Sequence, residues 1–172
     1  FPLLLAGFRK ARESKPALSA TVVYPSAKIR DLLESILATQ PDLAQQIEFV
    51  SNKTENLPGS AVLMSSGTMS LGCALSAIPG AIAYRLNPMS YWLGRILVKV
   101  KYIGIANLLL DRPLHPEFIQ AAASPAQLSR QLLRALDQSE AAAEAQDGAV
   151  ELRELLHAGR DASAADWLAR GL

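Results

Sequence analysis

Short apolar runs alternate with helical segments through residues 1–120, and this alternation limits the possible folds more than any other feature. Residues 17–24 hold Thr21, Val22 and Val23 between Pro16 and Pro25, and further apolar runs cover residues 47–50, 61–65 and 81–84. These runs are apolar throughout rather than alternating, as strands buried on both faces require. Helical patterns fill the intervals. Residues 3–13 place Leu4, Leu5 and Phe8 at helical spacing and end on Arg9, Lys10 and Arg12, basic residues that suit a helix C-terminus. Ser26 is placed to cap a helix over residues 27–39, Pro79 and Gly80 close one over 68–77, and Asn87 with Pro88 opens one over 87–100. Residues 103–105 read as a short extended piece, and 52–58 as a polar loop. Strands and helices in this order predict an α/β fold: a parallel sheet of four or five strands with helices on both faces.

Beyond Pro116 the pattern is helical, with breaks near Ser124-Pro125 and Asp147-Gly148. Residues 121–145 are rich in alanine and poor in large apolar residues, which predicts a loosely packed helical arm. The expected organisation is a sheet domain over 1–120 and a helical C-terminal tail over 121–172. The opening Phe1-Pro2-Leu3-Leu4-Leu5 is an apolar helix start with nothing before it to pack on, so further chain is expected upstream. A net charge of +1 argues against a nucleic-acid partner, and the single Cys73 excludes an internal disulfide. No run approaches the roughly 18 apolar residues of a membrane span; the longest, 74–84, contains Pro79 and Gly80.

Three segments carry candidate chemistry. At Ser66-Gly67-Thr68 a strand ends and a helix begins. Such a turn at the carboxyl edge of a parallel sheet offers free N–H groups and hydroxyls to a phosphate. The same residues also make an ordinary helix cap. Residues 87–101 mix Trp92, Leu93, Ile96 and Leu97 with Arg95, Lys99 and Lys101. That pattern suits a helix lying on an anionic membrane, or a helix packed on the sheet with its lysines in water. Asn107, Arg112 and Glu117 occupy a segment read as irregular, where they either line a sugar or phosphate pocket or sit in a loop. His115, without a second histidine at metal-ligand spacing, reads as a surface residue, and His157 has no visible partner.

One longer string runs through these segments: Ser66-Gly67-Thr68-x-x-Leu71-x-Cys73-Ala74-Leu75, Pro79, Ala83-Tyr84-Arg85, Pro88, Tyr91-Trp92-Leu93, Leu97-Val98-Lys99-Val100 and Tyr102-Ile103. It continues through Asn107-Leu108-Leu109 and Arg112 to Pro116-Glu117-Phe118-Ile119-Gln120. In order and spacing this string resembles the C-terminal half of the lipid-A-disaccharide synthase family, glycosyltransferases of the two-Rossmann-domain GT-B type. The resemblance implies transfer of 2,3-diacylglucosamine from its UDP form to 2,3-diacylglucosamine 1-phosphate with release of UDP. The residues themselves show no metal-site spacing, no nucleophile elbow and no P-loop, and no cofactor or metal ion is expected. The UDP-sugar-binding residues the resemblance implies are Ser66, Gly67, Thr68, Arg85, Asn107, Glu117 and Gln120, with Trp92, Arg95, Lys99 and Lys101 as a membrane surface.

Several further expectations come from the same resemblance. The enzyme is cytoplasmic, peripheral at the inner face of the inner membrane. The acceptor domain, the glycine-serine-arginine phosphate loop and the catalytic acidic residue lie N-terminal to this stretch. The chain departs from the family pattern at Gly72, where a glutamate is usual, at Ala106, where a proline is usual, and at Ala121-Ala122, where an acidic pair is usual. Alternatives of other kinds are a catalytically impaired homologue, a non-catalytic UDP-sugar-binding protein, or another UDP-sugar enzyme of the same fold.

Overall fold

A computed structural model describes residues 1–52, 59–65, 67–85 and 101–158. The elements are α1 (Pro2–Ser14), β1 (Ala20–Tyr24), α2 (Ala27–Leu37), α3 (Pro41–Ala44), β2 (Ile47–Ser51), β3 (Val62–Met64), α4 (Thr68–Leu75) and β4 (Gly80–Tyr84). They are followed by α5 (Ile105–Leu110), β5 (Glu117–Ile119), a single 3-10 turn (Gln120–Ala122), α6 (Pro125–Asp137) and α7 (Ser139–Ala158). Local signals set several boundaries. Ser26 Oγ accepts the Ile29 N–H at 3.4 Å at the start of α2, and Ser124 Oγ accepts the Gln127 N–H at 3.3 Å at the start of α6. Pro2, Pro41 and Pro125 occupy helix first turns, where a missing N–H costs nothing. The expected helix over 87–100 and most of the expected loop over 52–58 lie outside the described residues.

Among the described residues every strand pairing is parallel, as the buried apolar runs require, with β1 beside β2 and β3, β4 and β5 in that order. β4 begins on Gly80 for a steric reason: a Cβ there would lie 1.9 Å from the Val62 carbonyl oxygen. The strands form two ladders rather than one continuous sheet, because β1 and β3 do not pair. A shared core nevertheless joins them. Leu5, Phe8 and Ala11 of α1, Leu37 of α2 and Leu132 of α6 form one buried cluster, onto which Ala20, Ile47, Phe49 and Leu63 pack from three strands. Met64, Cys73, Ile78 and Ile82 form a second cluster, with Val62 packed against it. Leu63 therefore points to one face of its sheet and its neighbours Val62 and Met64 to the other, which is the period-two geometry of a strand covered on both sides. Burial pushes the Cys73 thiol up to about 11, which makes it an inert core group.

Two expectations are corrected. Residues 103–105 are not a strand: Gly104 is the N-cap of α5, and the Ile103 and Gly104 N–H groups bond to the Glu117 side chain instead of to a neighbouring strand. The alanine-rich segment is not a loose arm. α6 packs along α1 and against β3 and β4, and buries Leu128, Leu132 and Ala135 at helical spacing. α7 buries Ala141, Ala145, Ala149 and Leu152 and packs on α4 and α5. Small side chains at spacings of four let a helix approach its neighbours closely, so the alanines tighten the packing that their size had been taken to loosen. α6 is likewise the partner that the apolar face of α1 had lacked in the sequence.

Leu128 is 0% exposed and faces α1 from α6. Leu128→Ala should lower unfolding free energy by about 2–5 kcal/mol in a urea titration. A loss of less than about 1 kcal/mol would show that the C-terminal helices are peripheral to the core after all.

Candidate functional site

The three-stranded ladder has a shared carboxyl edge. Met64 is level with Ile82, and Ile82 with Glu117. Directly beyond that level come the turn into α4, the end of β4 at Tyr84-Arg85, and the end of β5 at Ile119-Gln120. In an open parallel sheet this is the edge where ligands bind.

Gly67 is the N-cap residue of α4 and has no capping side chain. Its φ of +126° is a conformation glycine adopts without strain, and no other described residue lies within 4 Å of the position a Cβ would take. The turn is fixed from its inner side. Fully buried Ser70 donates both its N–H (3.1 Å) and its hydroxyl (2.7 Å) to the Gly67 carbonyl. Thr68, the first residue of α4, is exposed. The result is an anchored helix N-terminus that is open among the described residues, with its first N–H groups and partial positive charge facing outward. Ser66 lies outside the described residues.

Arg85 is exposed at the end of β4, and its Nη2 donates to the Ala123 carbonyl at 2.6 Å, just after β5. Gln120 turns the chain off β5 with a φ of +53°. Gly67, Thr68, Arg85 and Gln120 thus share one edge of the fold.

Asn107 and Glu117 bond to groups of the chain itself. Asn107 lies in α5, not in an irregular loop, and is 0% exposed. Its amide nitrogen donates to the His115 carbonyl (2.7 Å) and to Glu117 Oε1 (2.8 Å), while its carbonyl oxygen accepts the His115 N–H (2.9 Å). Both amide hydrogens are thereby used. Glu117 also accepts the Ile103 N–H (2.9 Å, Oε2) and the Gly104 N–H (2.9 Å, Oε1). It is a carboxylate at the positive end of α5, acting as that helix's cap. Both residues therefore hold α5 and the approach to β5 in place. Arg112 reaches Glu151 of α7 at 2.7 Å and belongs to the same framework.

His115 was expected at the surface and is instead 0% exposed. Its Nε2 lies 2.9 Å from the Ile78 carbonyl, an acceptor only, so Nε2 carries the hydrogen of the neutral ring. Burial holds its pKa below the usual histidine value, against a smaller opposing effect of the Ile78 bond. Neither periodicity nor spacing signals this position, because its partners are main-chain groups.

Of the expected membrane surface, Trp92, Arg95 and Lys99 lie outside the described residues. Lys101 is exposed, but its ammonium pairs with Asp111 at 2.9 Å and sits 5.1 Å from the centre of the Tyr102 ring. Among the described residues no helix is long and apolar enough to cross a membrane, and no cluster of three or more His, Cys, Asp or Glu stands ready to hold a metal ion. His157 lines a shallow depression of about 290 Å³ with Leu75, Arg153 and Leu156, at the opposite end of α4 from Thr68.

Comparison with known proteins gives the family. The family described as lipid-A-disaccharide synthetase matches residues 1–169. Similar relatives include proteins named lipid-A-disaccharide synthase from Salmonella agona (strain SL483), Salmonella newport (strain SL254) and Salmonella typhi. Each is 32% identical over 169 residues, covering 95% of this chain and 44% of the relative. The chain thus spans less than half the length of these relatives.

The buried histidine gives a pH test. A folded pKa below the ordinary value means that the unfolded chain takes up the His115 proton more readily. Stability from this group is complete above the ordinary histidine pKa of about 6.5 and declines as pH falls from there toward the folded value. The urea midpoint should drop between about pH 7.5 and 5.5, and the drop should shrink in His115→Gln. A midpoint flat over that interval would contradict a buried neutral His115.

Proposed function

This chain belongs to the lipid-A-disaccharide synthase family, and we propose that it forms the nucleotide-sugar-binding half of a glycosyltransferase. The proposed whole-protein reaction moves 2,3-diacylglucosamine from UDP to 2,3-diacylglucosamine 1-phosphate and releases UDP. The observation that carries the reading is the open, anchored N-terminus of α4 at Gly67-Thr68, placed on the carboxyl edge of the β3–β4–β5 ladder. Loss of UDP builds negative charge on the diphosphate. Preorganised N–H groups, a hydroxyl and a cation stabilise such charge without reorganising when it appears.

In this reading the Thr68 hydroxyl and the first N–H groups of α4 receive a phosphate, together with Ser66. Arg85 supplies positive charge from the next strand, and Gln120 lines the end of β5. Asn107 and Glu117 act as positioning residues through α5. The acceptor site and the catalytic acidic residue belong to the part of the protein outside this chain, so these residues alone bind UDP weakly and turn nothing over. A catalytically impaired homologue is the second reading, favoured by Gly72, Ala121 and Ala122 where the family pattern carries carboxylates.

The donor site is tested by Thr68→Val, which keeps side-chain volume and removes the hydroxyl. UDP affinity measured by calorimetry should fall by about 1.5–3 kcal/mol, the value of a hydrogen bond to a charged group, with the thermal midpoint little changed. Equal affinity in the two proteins would reduce the turn to a helix start with no ligand role.

Acylated substrates also place the proposed enzyme at a membrane surface, the inner face of the inner membrane. Arg95, Lys99 and Lys101 are proposed to draw the segment carrying Trp92 to anionic lipid, each contributing on the order of 1 kcal/mol at low salt. Changing all three to glutamine should reduce co-sedimentation with anionic vesicles and leave UDP affinity intact. Equal sedimentation of mutant and wild type would move the membrane contact elsewhere.

A further inference from the structure

β5 is a short strand with a long reach. Its residues Glu117–Ile119 pair with β4 alone among the described residues. One more bond, from the Ile82 N–H to the Pro116 carbonyl at 3.0 Å, lies just before it. A strand about half the usual length has few ladder bonds with which to fix its own position. Yet β5 leads into Gln120, whose φ of +53° is a conformation that a residue with a side chain keeps only where its surroundings impose it. It leads on to the Ala123 carbonyl, which accepts from Arg85.

The added hold on β5 is His115. The ring is 0% exposed, and its Nε2 donates at 2.9 Å to the carbonyl of Ile78, just ahead of β4. The main chain closes the other side. The His115 N–H donates to Asn107 Oδ1, its carbonyl accepts from Asn107 Nδ2, and the same Nδ2 donates to Glu117. One residue thus ties the approach to β4, the cap of α5 and the start of β5.

This hold requires a neutral ring. An imidazolium carries a hydrogen on both nitrogens, and no acceptor among the described residues reaches the buried Nδ1. Counter-charge is lacking too. Residues 76–83, around Ile78, and α5 contain no ionisable side chain, and Cys73 of α4 is a neutral thiol. The Glu117 carboxylate of β5 is engaged by Asn107 and two main-chain N–H groups. Arg112 pairs with Glu151 of α7, Lys101 with Asp111, and Arg153 of α7 with the Leu75 carbonyl. Asp147 of α7, beside the Gly148 that packs on Leu114, is exposed. Burial accordingly lowers the His115 pKa. A ring that takes up a proton has to leave its pocket, because an unpaired buried charge costs more than the bonds given up.

We infer that His115 is a positioning residue for the nucleotide edge: its neutral ring holds β5 on β4, and protonation releases β5 and with it the placement of Gln120 and Arg85. The inference rests on the donor-site reading above only for what the edge binds. The connection from α5 to β5 adds no residue to the α1–α6 cluster, so it can open while that cluster stays closed.

The test is amide hydrogen exchange of the protein with and without UDP. The amides of Ile82, Ile103, Gly104 and His115 should open more readily than those of Ala11 and Leu132 in the α1–α6 core. Without nucleotide, their protection should fall about tenfold from pH 7.5 to 5.5, the excess of protonated over neutral ring in a released histidine of pKa about 6.5. In His115→Gln, which keeps a donor for the Ile78 carbonyl and does not titrate, it should stay level; the wild-type comparison stands without the variant. UDP at about ten times its dissociation constant should raise the same protection about tenfold, because the released form lacks the site. Wild-type protection that ignores pH, or that equals the core amides at both pH values, would overturn the inference. A pH effect without any response to bound UDP would overturn the positioning role and leave His115 a stability element. Absence of saturable UDP binding would sink the donor reading and that role together, while the nucleotide-free pH series would still decide whether His115 holds β5.

Discussion

The contact of α1 with α6 carries the rest of the fold. It is close because Gly7 presents no side chain where the helices meet. A Cβ there would lie 2.8 Å from Leu128 Cβ and 3.6 Å from Leu63 Cδ1. Around it Leu5, Phe8, Ala11 and Leu132 close one cluster, onto which strands from both ladders pack. Two ladders that share no strand pairing among the described residues are held in one body by apolar burial, a non-directional force that needs area rather than alignment. Surface ion pairs such as Arg9 with Asp42 add little to this.

The second framework element is polar. The Asn107 amide, the His115 main chain and the Glu117 carboxylate bond to one another, and Glu117 also accepts two neighbouring N–H groups. Removing one partner would strand several donors and acceptors away from water, so the cluster fixes a single position for α5. Its value to a ligand site is indirect. It sets the level at which β5 begins, and β5 brings Gln120 and the Ala123 carbonyl that orients Arg85 to the same edge as Gly67.

Much of this was legible in the sequence because periodicity reports burial. The short apolar runs became β1 to β4, the Ser26 signal became a real cap, and the break near Ser124-Pro125 became the start of α6. What was misread had no periodic signature. The His115 ring pairs with a main-chain carbonyl, and Asn107 with the His115 main chain and the Glu117 carboxylate, partners that no periodicity reports, so a polar segment looked like a loop or a pocket. The alanines of α7 were read for the area they lack rather than for the close approach they permit. The turn at Gly67 was legible as a strand-to-helix junction, while its openness depends on the packing of Ser70 beneath it.

The central claim is that the carboxyl edge of the β3–β4–β5 ladder is a nucleotide site. An amide chemical-shift map of the chain titrated with UDP addresses it most directly. The account predicts the largest saturable shifts at Gly67, Thr68, Arg85 and Gln120, with His115 and Asn107 moving little. Shifts centred on Leu75, Arg153 and His157 at the far end of α4, or no saturable shifts at all, would contradict it.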